Sequence, residues 1–257
     1  MKNIVVNGAN GKMGKEVVNL ILGKKNTELV GVCDKKGVGR EIKSTNLKIR
    51  DNLSHILNEK DVDIVIDFTT PIAVMDNIRT VLNYKTNMII GTTGITEKNL
   101  DEIKKIIANN KIIIAPNFAI GAVLMMKFSK KAAKYMDDAE IIELHHDQKI
   151  DSPSGTSLRT AELISENLTK SKNISNKQNY TESLSGVRGG KKNNINIHSV
   201  RLKGLVAHQK VIFGNEGQTL TIKHDSFDRS SFMPGVAMAI DKIDEVTGLV
   251  YGLENII

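Results

Sequence analysis

Residues 143–156 read ELHHDQKIDSPSGT and gather two adjacent histidines, His145 and His146, a lysine, Lys149, and a helix-start signature into one short stretch. Imidazoles exchange protons near neutral pH, and an ammonium group can pair with an acid. Backbone NH groups at a helix start, here around Ser154 to Thr156, can hold the carboxylate of an anionic substrate. Adjacent histidines can equally be structural, because neighbouring strand residues point to opposite faces. Lys149 and the SPSGT turn, in which Pro153 fixes the chain just before the helix, favour an active site.

The flanking pattern says how these groups are delivered. Ile141, Ile142 and Leu144 read as the end of a buried strand, and Leu158, Ala161, Ile164 and Leu168 recur at helical spacing. A strand thus carries the histidines to its carboxyl end, near a helix N-terminus.

A second constellation lies at the start of the chain. Ile4, Val5 and Val6 run into GANGKMG at 8–14, and Val17, Val18, Leu20 and Ile21 follow at helical spacing. Glycines between a strand and a helix permit a tight turn and close approach of backbone to a pyrophosphate, which the helix dipole favours. The next strand, 28–34, ends in Asp34, about 20 residues beyond Gly14, where an acid holds a ribose hydroxyl. Lys35 and Lys36 follow it and can meet a 2′-phosphate by charge, which admits NADPH beside NADH.

The first half then alternates strand and helix: strand 62–68, helix 72–82, strand 87–91, helix 97–108, strand 111–115. Such alternation predicts a Rossmann-like, doubly wound parallel sheet with right-handed crossovers. Three loops fall at the carboxyl ends of these strands, where such sheets bind ligands: 67–71, 91–94 and 115–118. Ordinary turn chemistry would also select their Gly, Thr, Pro and Asn residues.

Past Phe118 a helix is expected over 121–135, its Met125, Met126 and Phe128 serving packing, and then the histidine strand. Residues 169–192 are rich in Ser, Asn, Lys and Gly and predict a long mobile loop that can cover a site. Strands follow at 195–200, 208–215 and 218–224, the last two joined by a turn at 215–217, and a helix at 235–243. The second half is therefore α+β and more antiparallel, with His198, His208 and His224 as structural residues. The expected division is a dinucleotide-binding domain, 1–118, to which 230–257 returns, and a substrate-binding and oligomerisation domain, 119–229. A sheet that presents substrate groups on one face leaves the other for a second subunit to cover.

The whole chain sets limits on function. Its 257 residues suffice for two domains, and 40% hydrophobic with 25% charged residues is ordinary globular composition. A formal charge of +7 comes with only 4% aromatic residues and no basic stretch interleaved with them, so an anionic small ligand explains it better than nucleic acid. One cysteine, Cys33, allows no internal disulfide and offers no zinc cluster or other metal site, which suits a reducing cytoplasm. The first residues enter a strand without a signal-peptide pattern, and no apolar run approaches the roughly 18 residues that span a bilayer. No membrane partner is expected.

Taken together, GANGKMG at 8–14, DFTTP at 67–71, GTTG at 91–94, APNF at 115–118 and above all ELHHDQKIDSPSGT at 143–156 closely resemble the 4-hydroxy-tetrahydrodipicolinate reductase (dihydrodipicolinate reductase) family, over nearly the whole chain. The resemblance implies NADPH- or NADH-dependent reduction of a cyclic dicarboxylate on the diaminopimelate route to lysine, by a homotetramer assembled through the second domain's sheets. By it, His145 is the general acid/base and Lys149 a second proton donor. His146, Gly155 and Thr156 bind substrate. Cofactor contacts fall to Gly8, Ala9, Asn10, Gly11, Lys12 and Met13, to Asp34 with Lys35 beside it, to Gly91, Thr92 and Thr93, and to Ala115, Pro116, Asn117 and Phe118. Ser152 departs from the family's usual alanine, a small change beside the turn. Two other readings stand beside this one. Another NAD(P)-dependent dehydrogenase is compatible with the first half alone, and a nucleotide-binding redox sensor without turnover would carry a separate partner-binding segment, for which no candidate is evident.

Overall fold

Runs of Ile and Val that are apolar on both sides of the chain form a sheet buried on both faces. In the computed structural model, which describes residues 1–168 and 181–257, β1 (Lys2–Asn7), β2 (Thr27–Cys33), β3 (Ile64–Asp67), β4 (Asn87–Ile90), β5 (Ile112–Ile114) and β11 (Leu249–Tyr251) make one parallel sheet in the order β11-β5-β4-β3-β1-β2. The unit holding it comprises Met1–Phe118 and Phe232–Ile257.

Alternation along the strands sends side chains to two layers of helices. Val5, Val65, Met88 and Ile112 share a core with α2 (Leu53–Glu59), α3 (Pro71–Leu82) and α4 (Glu97–Ile106). Their strand neighbours Ile4, Val6, Ile64 and Ile89 are equally buried on the other face, where α1 (Lys12–Gly23) packs with α7 (Met233–Lys242). This is the doubly wound arrangement. The strand order reverses between β1 and β3, and a ligand crevice forms at the carboxyl ends of strands flanking such a point.

The second unit, Ala119–Ser231, holds α5 (Ile120–Ala132), β6 (Asp138–His145), α6 (Gly155–Ser165), β7 (Gly190–Lys192), β8 (Ile195–Arg201), β9 (Ala207–Asn215) and β10 (Gln218–Ser226). Its sheet runs β10-β9-β6-β8-β7, with β6 central, parallel to β8 and antiparallel to β9. Helix α5 packs on β9 and β10, and α6 on β6 and β8. Register places Ile141, Glu143 and His145 of β6 beside Ile197, Ser199 and Arg201 of β8 and beside Val211, Gln209 and Ala207 of β9. Ile141, Ile197 and Val211 are buried under the helices. The opposite face carries Ile142, Leu144, Val200 and Ile212 half-buried.

Most expected elements are present with ends moved by one or two residues, where caps and fraying decide. Three features differ, one of them strand β11, which forms where no strand was expected. Helix α2 lies in a stretch for which no element was expected, and its Asn52 side chain accepts from Ser54 N at 3.0 Å as a cap. The loop expected over 169–192 contains strand β7, which pairs with β8; residues 169–180 of it lie outside the described residues. Among the described residues no helix is long and apolar enough to cross a membrane.

Candidate active site

At the carboxyl end of β6 the period of two puts Glu143 and His145 on one face. Glu143 is fully buried, and its carboxylate is a junction. It meets His145 Nδ1 at 2.5 Å, accepts from Arg201 Nη1 at 2.9 Å and Nη2 at 2.7 Å, and accepts from the Ser154 amide at 3.3 Å. Burial pushes the Glu143 carboxyl up, but hydrogen bonds from His145, Arg201 and Ser199 outweigh it and hold the group at about 2. Glu143 therefore carries a full negative charge at neutral pH.

A stability prediction follows from that shift, since the folded value lies below the ordinary 4.5. The contribution is complete above that value and is lost as pH falls from there toward 2. Denaturant unfolding across this window should show stability falling with acid, and Glu143→Gln should flatten the slope. An unchanged slope in the variant would remove Glu143 from the acid response.

Helix α6 begins beside this carboxylate. Ser154 is its N-cap and accepts from Ser157 N at 3.2 Å. Below it a buried network fastens the helix to β9: Ser154 Oγ meets Ser157 Oγ at 2.8 Å, Ser157 Oγ donates to Gln209 Oε1 at 2.9 Å, and Gln209 Nε2 donates to Thr160 Oγ1 at 2.8 Å. Of the amides expected to face an anion, that of Ser154 is thus turned onto Glu143. Gly155 and Thr156 remain as the first two residues of the helix.

The other expected groups lie close in sequence but differ in environment. His146 follows the last strand residue, half-buried, and its carbonyl accepts from Lys149 N at 3.2 Å. Lys149 Nζ donates to both oxygens of Asp151 at 2.7 and 2.9 Å, so in this structure its charge faces an acid of its own loop. Arg201 also donates to the Asp151 carbonyl at 2.9 Å, binding the loop to the end of β8. Among the described residues its Nε is buried without a partner. Glu143, Arg201 and Gln209 were not among the expected site residues. Glu143 was legible, two residues from His145 in the strand, whereas Arg201 reaches the site only through the register of β6 with β8.

In the first unit the glycine loop joins β1 to α1. Gly8 has φ of +85°, and a Cβ on Gly14 would lie 2.0 Å from the Gly8 carbonyl oxygen, so neither position has room for a side chain. No side chain caps α1, which leaves the first-turn amides of Lys12 and Met13 facing outward from an exposed start. Asp34 accepts from Asn10 N at 2.9 Å and Lys36 N at 2.8 Å, pinning the end of β2 to the loop with lone pairs to spare on each oxygen. These residues fit a dinucleotide: glycines for backbone approach, a helix start for pyrophosphate and an acid for ribose.

The remaining expected contacts divide by burial. Gly91, Thr93, Pro116 and Asn117 reach the surface, while Ala9, Thr92, Ala115 and Phe118 are buried and form the floor. Phe118 stacks at a tilt on Phe68, their centroids 5.8 Å apart. The Thr92 hydroxyl does not face the crevice; it donates to Asp67 Oδ1 at 2.7 Å and accepts from Thr69 N at 2.8 Å. Asp67 is fully buried and also accepts from Asn7, Asn77 and Thr69, so it stitches the ends of β1, β3 and β4 together. Lys35 Nζ donates to the Asp51 carbonyl at 2.8 Å, and Arg40, an unexpected cation, donates to Asn10 Oδ1 at 3.2 Å beside the glycine loop. Among the described residues no group of three or more His, Cys, Asp or Glu side chains is placed to hold a metal ion.

The doubly wound sheet and its glycine loop are those of a dinucleotide-binding protein. Comparison with known proteins makes it specific. Residues 2–118 match the family model described as dihydrodipicolinate reductase, N-terminus, and residues 121–257 match its C-terminus counterpart. The chain is 48% identical to 4-hydroxy-tetrahydrodipicolinate reductase of Listeria welshimeri over 99% of both chains, and 46% identical to that of Syntrophomonas wolfei over 99% of this chain and 98% of the other. A solved dipicolinate-bound dihydrodipicolinate reductase from Paenisporosarcina sp. TG-14 superposes with a TM-score of 0.87, at 43% identity and full coverage of both chains. The chain belongs to the dihydrodipicolinate reductase family, whose members reduce 4-hydroxy-tetrahydrodipicolinate with NADH or NADPH in lysine and diaminopimelate biosynthesis.

Proposed function

We propose that this chain performs the family's reduction with His145 as the proton donor, the start of α6 as a carboxylate cradle and the glycine loop of the first unit as the cofactor site. The observation that carries the reading is the junction at Glu143: one buried carboxylate holds both the Nδ1 of His145 and the amide that opens α6. A proton donor and an anion-binding helix start are thereby built into one rigid group.

NADPH or NADH held at the glycine loop and Asp34 would supply a hydride to a cyclic, unsaturated dicarboxylate formed by loss of water. Addition leaves electron density on the ring, and His145 gives it a proton; because Nδ1 is held by Glu143, Nε2 is the nitrogen that delivers it. Gly155 and Thr156 bind one carboxylate through the helix start, with His146 beside them. Lys149 leaves Asp151 to meet substrate as a cation or second proton donor. The relative from Paenisporosarcina sp. TG-14 was solved with dipicolinate, a planar dicarboxylate, which supports a small dicarboxylate as ligand here.

For the cofactor, Gly8 to Met13 take the pyrophosphate and Asp34 the ribose, while Lys35, Lys36 and Arg40 offer charge to a 2′-phosphate. Gly91 to Thr93 and Ala115 to Phe118 shape the crevice. Oxidation of NADPH or NADH dependent on the hydroxylated dicarboxylate tests the whole reading, and cofactor binding without that oxidation would favour the redox-sensor alternative. Lys149→Ala should raise KM for the dicarboxylate and lower kcat; both constants unchanged would return Lys149 to a loop-stabilising role with Asp151.

The second domain serves assembly as well. The half-buried Ile142, Leu144, Val200 and Ile212 on the sheet face opposite α5 and α6 suit burial against a second copy, and a homotetramer through these faces is proposed. Light scattering should give the mass of four chains, and Ile212→Lys should lower it; a monomeric parent would overturn the assembly. The cofactor and the single cysteine suit the cytoplasm.

A further inference from the structure

A fully buried carboxylate needs a reason beyond its ion pair. Removing two charges from water costs several kcal/mol per ion, and a buried pair can often be replaced by apolar residues without loss of stability. Arg201 neutralises Glu143 through two nitrogens, and that pair alone would account for charge balance. Beside the Ser199 side chain, two further partners point to function: His145 Nδ1 at 2.5 Å and the Ser154 amide at 3.3 Å. One oxygen, Oε2, meets the imidazole and Arg201 Nη1; the other, Oε1, meets Arg201 Nη2 and the residue that caps α6.

This geometry restricts His145 in two ways. An ionised carboxylate only accepts, so Nδ1 must carry the proton of that bond and the ring is held with Nε2 turned away from Glu143. The ring orientation is set by the same group that holds the N-cap of the helix, Ser154. Arg201 is in turn fixed by the carbonyls of Val200 and Asp151 at 2.8 and 2.9 Å, so the carboxylate cannot rotate without breaking bonds to β8 and to the 147–154 loop.

We infer that Glu143, clamped by Arg201, is a positioning residue that fixes the tautomer and orientation of His145 and holds it at a set spacing from the start of α6. It touches neither substrate nor cofactor; it acts through His145 and Ser154. The inference deepens the proposed reaction and rests on the reading of His145 as proton donor.

The test combines a spectrum of the unaltered protein with a double-mutant cycle. With ring-¹⁵N histidine, the parent should show a strongly downfield proton on the His145 Nδ1, a signal assigned by its loss in His145→Gln. A bare Nδ1 with the proton on Nε2 alone would overturn the inference without any change at Glu143. In the cycle, Glu143→Gln should lower kcat about 10²-fold, the scale for a displaced reacting group, with KM for NADPH unchanged. In a His145→Gln background the same change should cost little more, because the group it acts through is gone. Equal losses in both backgrounds would make Glu143 merely structural and overturn the inference alone. A fully active His145→Gln would overturn the proton-donor reading and this inference with it.

Discussion

His145→Gln is expected to lower kcat by about 10²- to 10⁴-fold, the range for loss of a positioned general acid, while NADPH binds as before. That loss corresponds to about 3 to 5 kcal/mol of barrier. Glutamine keeps a polar side chain of similar reach, and the cofactor residues belong to the other unit, so the effect should fall on the chemical step. Steady-state turnover with saturating dicarboxylate, beside a direct titration of NADPH, separates the two. Unchanged kcat would remove His145 from the reaction, and a parallel loss of NADPH affinity would mean that the variant had disturbed the fold.

The location of this group was legible in the sequence because a strand has a period of two. Ile141, Glu143 and His145 must share a face, and α6 packs on that side of the sheet, so His145 lies on the helix side of β6 and not on the opposite face. The helix start was legible from Ser154 and the apolar spacing after it. What the sequence did not disclose was the partner of Glu143. Arg201 lies 58 residues away and arrives through the parallel register that pairs His145 with Arg201, which depends on where β8 docks along β6. No local pattern encodes that docking.

The same distinction explains the loops of the first unit. Their position at strand ends followed from alternation of strand and helix, but the direction of each hydroxyl did not. The hydroxyl of Thr92, a residue expected at the cofactor, is directed onto Asp67, because a fully buried carboxylate requires donors and the nearest are the hydroxyls and amides of the adjoining turns. Helix α2 escaped notice for a different reason. Seven residues with buried Leu53, Ile56 and Leu57 give one helical repeat, too short to stand out from a loop, and only the Asn52 cap marked its start. Lys149 was read from the sequence as a charge able to pair with an acid, and in this structure the acid it meets is Asp151, two residues on.

The cofactor site has its own sensitive point, and Gly14→Ala is expected to raise the Kd for NADPH by more than about 10-fold while leaving dicarboxylate binding unchanged. A Cβ there would sit 2.0 Å from the Gly8 oxygen, 2.7 Å from the Gly8 carbonyl carbon and 2.9 Å from the Ala9 Cα. All three are backbone atoms. Gly8 has little room to retreat, since its own Cβ position lies 2.4 Å from the Phe68 carbonyl oxygen and its φ is +85°. Helix α1 must therefore shift away from β1, carrying the Lys12 and Met13 amides with it. Overpacking of this kind costs about 1 to 3 kcal/mol of stability, and an amide displaced by ~1 Å loses most of its bond to a phosphate oxygen, because hydrogen bonds fade steeply beyond 3.2 Å. Calorimetric titration of NADPH measures the first effect, and denaturant unfolding the second. If the variant bound NADPH as the parent does, the pyrophosphate would not lie against the start of α1, and the glycines of the loop would serve only to pack the helix on the sheet.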